Sequence, residues 1–290
     1  MPGLPLDAHL HTDLSPDADV PLDAYAALAR EQGLAELAIT DHLDFQPGAP
    51  AYAFADYQRR QRSVRQAAEG WDGRPAIRFG VEITYQARYE TEIREHLRGH
   101  EYDYVIGSVH VMRDHPLASP ATAGPWCAAR SVSEAGAWYW TEVGQAIRSG
   151  LFDTIGHLDV IKRWLTPYYG PYDFETHGDL YEPVLAELAA SGTALEVNSS
   201  GLRTDRVGPF PHPGQSYPSP GAVAQFRALG GTRIVAGSDA HRRHSFAGGL
   251  DVVYAQLQAL GVGWLTFRRG DGPVRVPLAG AAIAPSAPAR

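Results

Sequence analysis

Histidines and acidic residues follow apolar, strand-like runs at several separate points of this sequence. Of the 12 histidines, six close such a run or lie within a few residues of one: His9, His11, His42, His110, His157 and His241. Acidic residues share these positions: Asp41, Glu82, Asp159, Glu196 and Asp239. A single histidine at a strand end is usually a hydrogen-bonded structural residue, but clustered imidazoles without metal or acid partners would cost desolvation energy. Imidazole and carboxylate together suit Zn, Fe and Mn, so the ordered set predicts a metal centre.

Two short spacings fit ligands that share one face of a strand. The i, i+2 spacing of His9 and His11 puts both imidazoles on the same face. Asp239 and His241 repeat this spacing with mixed ligand types. The chain has one cysteine, Cys127, which excludes both an intramolecular disulfide and a Cys-rich metal site. Each motif is weak evidence by itself, and the ordered set is strong evidence.

Strand-like runs alternate with helical patterns along the chain. The predicted strands cover residues 4–11, 35–40, 76–85, 102–110, 152–157, 193–198, 232–239 and 263–267. The predicted helices cover about 21–33, 55–69, 89–98, 131–150, 177–191, 220–229 and 247–260, with Ser133 as the N-cap of the fourth. This alternation predicts parallel strands with helical crossovers, in an open doubly wound sheet or a closed barrel. A dinucleotide-binding open sheet would carry G-x-G-x-x-G where the first strand here ends in histidines. In a barrel, the strand ends meet at one face, where active sites are built.

The domain organisation follows from length and from the absence of a linker. By length alone, a chain of 290 residues could form two domains of average size, but (β/α) barrels of similar length fold as one domain. Pro-rich segments that we interpret as loops lie near residues 47–50, 116–125 and 207–220. The stretch 111–132 is long enough to be a functional loop. We expect one barrel over residues 1–277 and a loosely ordered Ala/Pro-rich tail over 278–290.

Charge and hydropathy exclude several classes of partner. The formal net charge of −8 argues against a basic nucleic-acid footprint over the whole chain. The N-terminus shows no cationic run before an apolar stretch, so no secretory signal is expected. No window reaches about 18 uninterrupted apolar residues, so no membrane partner is expected. The default compartment is the cytoplasm, and a homo-oligomer is compatible with the sequence.

The ordered motifs resemble those of a known family. They are His9-x-His11, Thr40-Asp41-His42, Gly80-x-Glu82, Gly107-Ser108-Val109-His110, Gly156-His157 and Gly237-Ser238-Asp239-Ala240-His241. In this order they resemble the motifs of the PHP (polymerase and histidinol phosphatase) superfamily, from residue 7 to about residue 250. The stretches IGSVHVM, GHLDVIKRW and EVNSSGLR resemble the histidinol-phosphate phosphatase branch.

The resemblance implies a distorted (β/α)7 barrel that holds two or three divalent ions (Zn, Fe or Mn). It assigns one ion to His9, His11, Glu82 and Asp239. A second ion would be bridged by Glu82 and held also by His110 and His157. A third ion would be held by Asp17, His42 and His241. Family members often have histidine where this chain has Asp17, which fits a turn in Ser-Pro-Asp-Ala nearly as well.

Such a centre suits an in-line displacement at phosphorus. Ions about 3.5–4 Å apart stabilise the attacking and leaving oxygens, and a bound water whose pKa falls to about 7 supplies hydroxide at neutral pH. No serine or cysteine nucleophile is then needed. We assign catalytic roles to Glu82, Arg203 and Asp239.

The charge of a phosphate monoester also calls for cationic side chains. Arg203 could bind phosphate bidentately, and a surface charge is the alternative. Lys162 and Arg163 follow His157 in a loop at the same face, and the resemblance places the phosphate clamp at these two positions. Lys162 is the only lysine and Asn198 the only asparagine, which GC-biased coding explains equally well. We assign Asn198 to the substrate site, although it could instead order its loop through backbone hydrogen bonds.

The function predicted from these features is hydrolysis of L-histidinol phosphate to L-histidinol and phosphate, in histidine biosynthesis. One alternative is a PHP phosphoesterase acting on another small phosphate ester or a nucleotide. Another is a protein-tyrosine phosphatase of the same barrel type. A non-catalytic module beside a polymerase is disfavoured, because almost the whole chain is barrel and every ligand position carries a possible ligand.

Overall fold

The computed structural model describes residues 4–204, 209–269 and 272–278. The strands are β1 (Asp7–Leu10), β2 (Glu36–Ile39), β3 (His42–Leu43), β4 (Ala76–Thr84), β5 (Tyr104–Ser108), β6 (Thr154–Ile155), β7 (Ala194–Asn198), β8 (Ile234–Gly237), β9 (Trp264–Arg269) and β10 (Gly272–Pro277). The α-helices are α1 (Leu22–Gln32), α2 (Tyr57–Gly70), α3 (Glu90–Gly99), α4 (Pro120–Ala128), α5 (Val132–Ser149), α6 (Lys162–Tyr169), α7 (Phe174–Ser191), α8 (Pro220–Ala228) and α9 (Leu250–Ala259).

Parallel strands close into a barrel. Neighbouring strands pair in the order β1-β2-β4-β5-β6-β7-β8, and β3 continues the register of β2 along β4. The ring closes between its first and last strands, where Leu10 and Ala240 form a parallel bridge. The amide of Asp239 donates to the His9 carbonyl at 2.8 Å, and the amide of His11 donates to the Ala240 carbonyl at 3.0 Å. The predicted distorted (β/α)7 barrel is therefore confirmed.

The barrel buries its strands on both faces. Every residue of β1, β2, β5, β7 and β8 is buried, because helices cover the outside of a parallel sheet and side chains fill the inside. Since the ring strands all run parallel, their carboxyl ends meet at one face of the molecule. Within the described ranges, no helix combines the length and the apolar character needed to cross a membrane.

Helix α5 is capped two residues earlier than predicted. Ser131, and not Ser133, is the N-cap: its side chain accepts the amide of Glu134, whose carboxylate accepts the amide of Ser131 at 2.7 Å. This capping box satisfies amides of the first turn that have no partner within the helix.

The segment 111–132, predicted as one long loop, is partly helical. It contains a 3-10 turn over Pro116–Ala118 and the helix α4. Ser119 caps α4, and Pro120 occupies its first position, where a missing amide hydrogen costs no hydrogen bond. The proline-rich composition thus marks the start of a helix here.

Two further helix starts differ from the sequence-based prediction. Lys162 and Arg163, predicted to lie in a loop, begin α6. Helix α7 begins at Phe174 because Asp173 caps it, and the predicted first residue, His177, marks a kink with φ −136° and ψ 39°.

The predicted strand 263–267 lies outside the barrel. It forms β9, which pairs antiparallel with β10, so that Gly272 faces Arg269. Strand β10 was not predicted from the sequence. Of the predicted tail, 278–290, only Leu278 lies within the described residues, and it is buried.

Candidate metal centre

The nine predicted metal donors gather at the carboxyl end of the barrel. Three belong to ring strands: His9 in β1, His42 in β3 and Glu82 in β4. The others lie in the loops that follow β1, β5, β6 and β8: His11, Asp17, His110, His157, Asp239 and His241. The strand ends therefore supply the donors, as expected for this barrel type.

The first donor set consists of His9, His11, Glu82 and Asp239. His9 Nε2 lies 3.1 Å from His11 Nε2, and each of these atoms lies 3.4 Å from Glu82 Oε2. Asp239 Oδ1 lies 3.3 Å from His11 Nε2 and 3.8 Å from His9 Nε2. Four ligand atoms thus surround one point inside the barrel mouth.

The second donor set consists of Glu82, His110 and His157. Glu82 Oε1 lies 2.9 Å from His157 Nε2 and 3.4 Å from His110 Nε2. The two imidazole nitrogens are 3.3 Å apart. Because Glu82 faces this set with Oε1 and the first set with Oε2, its carboxylate is placed to bridge two ions.

The third donor set consists of Asp17, His42 and His241. Asp17 Oδ2 lies 3.3 Å from His241 Nε2 and 3.6 Å from His42 Nε2. The two nitrogens are 3.4 Å apart. The carboxylate of Asp17 thus forms a triangle of donors with the two imidazoles, and its role as a metal ligand stays a prediction.

The spacing and chemistry of these donors fit divalent ions. A tetrahedral ion with bonds of about 2.0–2.1 Å places its ligand atoms about 3.3 Å apart. Glu82 Oε2 is buried and accepts no well-directed hydrogen bond from the described residues, although His42 Nδ1 lies 2.8 Å away. A buried carboxylate oxygen in this state costs free energy unless a cation lies beside it.

The other ring nitrogen of most of these histidines has a partner that turns Nε2 toward the donor sets. The partners are Glu196 for His9 at 2.7 Å, Ser15 for His11 at 3.2 Å, Thr84 for His110 at 3.1 Å and the Asp239 carbonyl for His241 at 3.0 Å. Metal-ligating histidines commonly have such a partner, which fixes the tautomer and the ring orientation. The rings are therefore oriented for metal binding by the protein itself.

Glu196 is the supporting residue that sequence reasoning missed. Its Oε1 accepts from His9 Nδ1, and its Oε2 accepts the amide of His157 at 2.6 Å. Glu196 therefore links the first and second donor sets from β7. Its position marks it as one of the strand-end acids but indicates no role. Its i, i+2 spacing to Asn198 puts both on one face of the strand, but no sequence signal pairs Glu196 with His9.

Asn198 and Lys162 are buried behind the cavity over the donor sets, and their assignment to the substrate site stays a prediction. Asn198 is buried, donates to Glu196 Oε2 at 3.1 Å and accepts the amide of Ser200 at 2.9 Å. Lys162 is fully buried, with Nζ 3.0 Å from Asp159 Oδ2. Since a buried ammonium needs a paired carboxylate, this ion pair keeps Lys162 inside the protein.

The remaining predicted phosphate ligands, Arg163 and Arg203, do lie in the wall of this cavity, which measures about 830 Å³. Arg203 Nη1 donates to the carbonyls of Ser238 at 3.0 Å and Asp239 at 3.2 Å. Arg163 Nε donates to the Phe210 carbonyl at 3.0 Å. Backbone carbonyls thus hold both guanidinium groups beside the donor sets.

Asp239 adopts a backbone conformation that its neighbours must enforce. Its φ of 52° lies in the left-handed region, which is unfavourable for residues other than glycine. Asp7 accepts the amide and the hydroxyl of Ser238 at 2.8 and 2.6 Å, which fixes the preceding peptide. A Cβ at Gly237 would lie 2.4 Å from His9 Cβ, so glycine is required where β8 meets β1.

The electrostatics of the centre favour an ionised Glu82. Burial disfavours its charged form, but the imidazoles of His42, His9 and His110 outweigh burial and hold the pKa of Glu82 well below its usual range. Burial also disfavours protonated His9, yet Glu196 and Glu82 together raise the pKa of His9 well above its usual value. The carboxylates therefore create a strong demand for positive charge, which divalent ions would meet.

Known proteins similar to this chain include a family model and several phosphatases that agree with one another. The model of the PHP domain family matches residues 7–200. A probable histidinol-phosphatase from Deinococcus radiodurans is 30% identical over 83% of this chain and 88% of the relative. A histidinol-phosphatase from Lactococcus lactis is 26% identical over 81% of this chain and 84% of the relative. A probable phosphatase from Vibrio cholerae is 28% identical over 82% of this chain and 78% of the relative.

The fold is also similar to a solved structure. The crystal structure of histidinol phosphate phosphatase from Lactococcus lactis, complexed with zinc, L-histidinol and phosphate, superposes with a TM-score of 0.74. The match covers 93% of this chain and 98% of that chain at 23% identity. This likeness supports the barrel architecture.

Proposed function

This chain belongs to the PHP domain family, and from that premise we propose that it is a metal-dependent phosphatase that hydrolyses L-histidinol phosphate to L-histidinol and phosphate. The observation that carries the proposal is the convergence of three His/carboxylate donor sets beneath two guanidinium groups. The first two sets share the carboxylate of Glu82. Arg163 and Arg203 line the cavity above them.

The residues of this centre have separate roles in the proposed reaction. Divalent ions bound here would stabilise the attacking and leaving oxygens of an in-line displacement at phosphorus. Arg203 and Arg163 would bind the phosphate oxygens through charge-assisted hydrogen bonds. Glu196 would keep His9 oriented, and Asp239 would complete the first donor set. The backbone contacts of Arg203 keep its guanidinium next to Asp239, so the phosphate and the donor sets meet at one place.

The choice of substrate is supported by the relatives. Those from Deinococcus radiodurans and Lactococcus lactis are named histidinol-phosphatases, and each aligns with more than four fifths of this chain. The Vibrio cholerae relative is named only as a probable phosphatase, which favours a second candidate: hydrolysis of another small phosphate ester at the same centre. A place in histidine biosynthesis belongs to the first candidate only, whereas a cytoplasmic location is proposed for both.

A substrate panel with metal-reconstituted protein tests the proposal. We would compare kcat/KM for L-histidinol phosphate, p-nitrophenyl phosphate and a nucleoside monophosphate after reconstitution with Zn, Mn or Fe. Histidinol phosphate should exceed the others by at least about tenfold, because binding energy from the non-reacting part of a substrate can be used in the transition state. A smaller preference would contradict the assignment of L-histidinol phosphate as the substrate but would still be compatible with a phosphatase. Full activity in protein with less than one equivalent of metal would contradict both candidates.

A further inference from the structure

A second cavity lies at the amino end of the barrel. Its volume is about 540 Å³, which is within the range of small-molecule sites. The segments that follow α8 and α9, the start of β8 and the β9–β10 pair form its wall. Arg233, in this wall, directly precedes β8, whereas Asp239 of the first donor set follows the same strand. The cavity and the metal centre therefore lie at opposite ends of the barrel.

The charge of this cavity is strongly positive. Three exposed arginines, Arg227, Arg233 and Arg275, line it, and its lining within the described ranges contains no aspartate or glutamate. The cavity also borders the carboxyl ends of α8 and α9, each of which is equivalent to about half a negative charge. About two positive charges therefore remain on this wall, in a chain whose formal net charge is −8.

Backbone carbonyls hold two of the three guanidinium groups in place. Arg227 Nη1 donates to the carbonyl of Leu260 at the end of α9, and Arg233 Nη1 donates to the carbonyl of Gly192 at the end of α7. A carbonyl acceptor orients a guanidinium without cancelling its charge, and it uses one of five N–H donors. Both groups are thus positioned and still have donors for an anionic ligand.

Trp264 adds an aromatic surface to the same wall. It begins β9, is 47% exposed and lines the cavity. Thr266 pairs with Arg275 across the two antiparallel strands, and Trp264 is two residues before Thr266, so the three side chains share one face of the pair. Guanidinium groups match the geometry of phosphate oxygens, and an exposed indole stacks on the rings of nucleic-acid bases.

We propose that this cavity is a binding site for a nucleoside diphosphate, whose phosphate groups contact Arg227, Arg233 and Arg275 and whose base stacks on Trp264. Three guanidinium groups that each make a two-pronged contact suit two phosphate groups better than one. The site is separate from the centre proposed to hydrolyse phosphate esters, and the inference does not depend on that function.

Binding of ADP to the metal-loaded full chain, measured by isothermal titration calorimetry, tests the proposal. Arg233→Gln and Arg275→Gln should each raise the Kd for ADP at least about tenfold, because each removes a charge-assisted contact. Trp264→Leu should raise the Kd for ADP at least about fivefold and change that for pyrophosphate less than about twofold. Arg65→Gln, which removes an exposed arginine of α2 outside the cavity, should change neither value. Turnover of p-nitrophenyl phosphate without ADP should be unchanged in all four variants, which shows that they are folded.

The possible outcomes separate the parts of the proposal. Absence of ADP binding at millimolar concentrations would overturn it. An unchanged Kd for ADP in both Arg233→Gln and Arg275→Gln would place the nucleotide elsewhere, such as at the donor sets, and would also overturn it. Equal Kd values for pyrophosphate and ADP, with no effect of Trp264→Leu, would show that the cavity binds inorganic phosphates and would contradict the assignment of a nucleoside ligand. Failure of the substrate panel would contradict the proposed function and leave these expectations unchanged.

Discussion

The first and third donor sets use the same ligand types but are embedded in the protein to different degrees. In the first set the side chains of His9, His11 and Glu82 are fully buried. In the third set the side chain of Asp17 is 54% exposed and that of His241 is 23% exposed. The first set therefore belongs to the barrel interior, and the third belongs to its rim.

The elements that carry the two sets explain this difference. His9 and Glu82 lie in ring strands, and the backbone hydrogen bond between Asp239 and His9 closes the barrel itself. Asp17 comes from the loop before α1 and has no comparable strand to fix it. Since local opening is easiest where few buried contacts hold a segment, we expect an ion in the first set to be retained and one in the third set to exchange readily.

Removal of the shared carboxylate should break the inner part of the centre and have the largest effect. Glu82→Gln takes one ligand from the first set and one from the second, and it leaves several imidazoles without their buried counter-charge. We expect the metal content to fall by about two ions per chain and kcat to fall by more than about 100-fold, beyond the range for supporting residues. Elemental analysis and steady-state kinetics check both values.

A matched control separates loss of metal from loss of stability. Glu36 is another buried strand carboxylate, but it pairs with Arg78 and Arg269. Glu36→Gln should lower the unfolding temperature without changing the metal content per folded chain. If Glu82→Gln retained full metal and near-normal turnover, the bridging assignment of Glu82 would be wrong.

Arg203 tests whether phosphate binding can be separated from metal binding. Hydrogen bonds to charged groups contribute about 1.5–3 kcal/mol, so Arg203→Ala should lower kcat/KM about ten- to a hundredfold. Arg203→Lys should recover only part of the loss, because an ammonium cannot make a two-pronged contact. The metal content should stay intact in both variants, and a parallel loss of metal would assign Arg203 to holding Asp239. Arg59→Ala, an exposed arginine of α2, should have no effect.

The proximity of the residues of the first set could be predicted from the sequence, because they lie at strand ends that the fold brings together, whereas their grouping into one set came from the resemblance to the PHP family. The period of strands and helices predicts parallel strands in an open sheet or a barrel, the resemblance to the PHP family implies the ring, and the spacing of His9 and His11 predicts their common face. Burial of Lys162 could not be predicted. Its carboxylate partner Asp159 is only three residues away, but the Ser216 carbonyl that also accepts from Lys162 lies 54 residues away and meets it only through packing. A basic residue that follows a ligand motif is equally compatible with a phosphate contact and with an internal ion pair.

The partners that orient the histidines were also beyond sequence reasoning. Glu196 is 187 residues from His9, and the two meet only because β7 and β1 are close once the ring has closed. Ser15 and Thr84 are common residue types whose sequence context carries no signal. Sequence patterns therefore indicate candidate ligands more readily than they indicate the residues that orient those ligands.

Substitution of Asp17, at the rim, should have a smaller effect on metal content and activity, and a second substitution should reverse it. Asp17→Ala should remove about one ion per chain, leave the first two sets occupied and lower kcat/KM about tenfold. Asp17→His supplies another ligand type that Zn, Fe and Mn accept, so it should restore the third ion. Metal titration followed by dialysis would show whether the third ion leaves first. Simultaneous loss of all ions from Asp17→Ala would contradict the distinction between interior and rim.

The smallest expected effect concerns a pair of histidines at the end of α3, His96 and His100, which belong to none of the three donor sets. His96 stacks on His100 with ring centroids 4.1 Å apart and lies 2.9 Å from the Tyr102 hydroxyl. Burial, His100 and Arg60 lower the pKa of His96 to about 4, whereas carboxylates raise that of His9. Identical side chains therefore titrate in opposite directions, according to the charges around them.

The lowered pKa of His96 predicts that the protein becomes less stable as the pH falls. Because the folded-state pKa of His96 lies below the ordinary value of 6.5, protons bind preferentially to the unfolded chain. The contribution of His96 to the free energy of unfolding is therefore complete above about pH 6.5 and is lost progressively as the pH falls toward about 4. Since the imidazole is partly open to water, we expect a loss of about 1 kcal/mol. His96→Gln, which can still hydrogen-bond Tyr102, should show a shallower fall in urea denaturation over this range. Identical pH profiles for the two proteins would mean that His96 does not contribute.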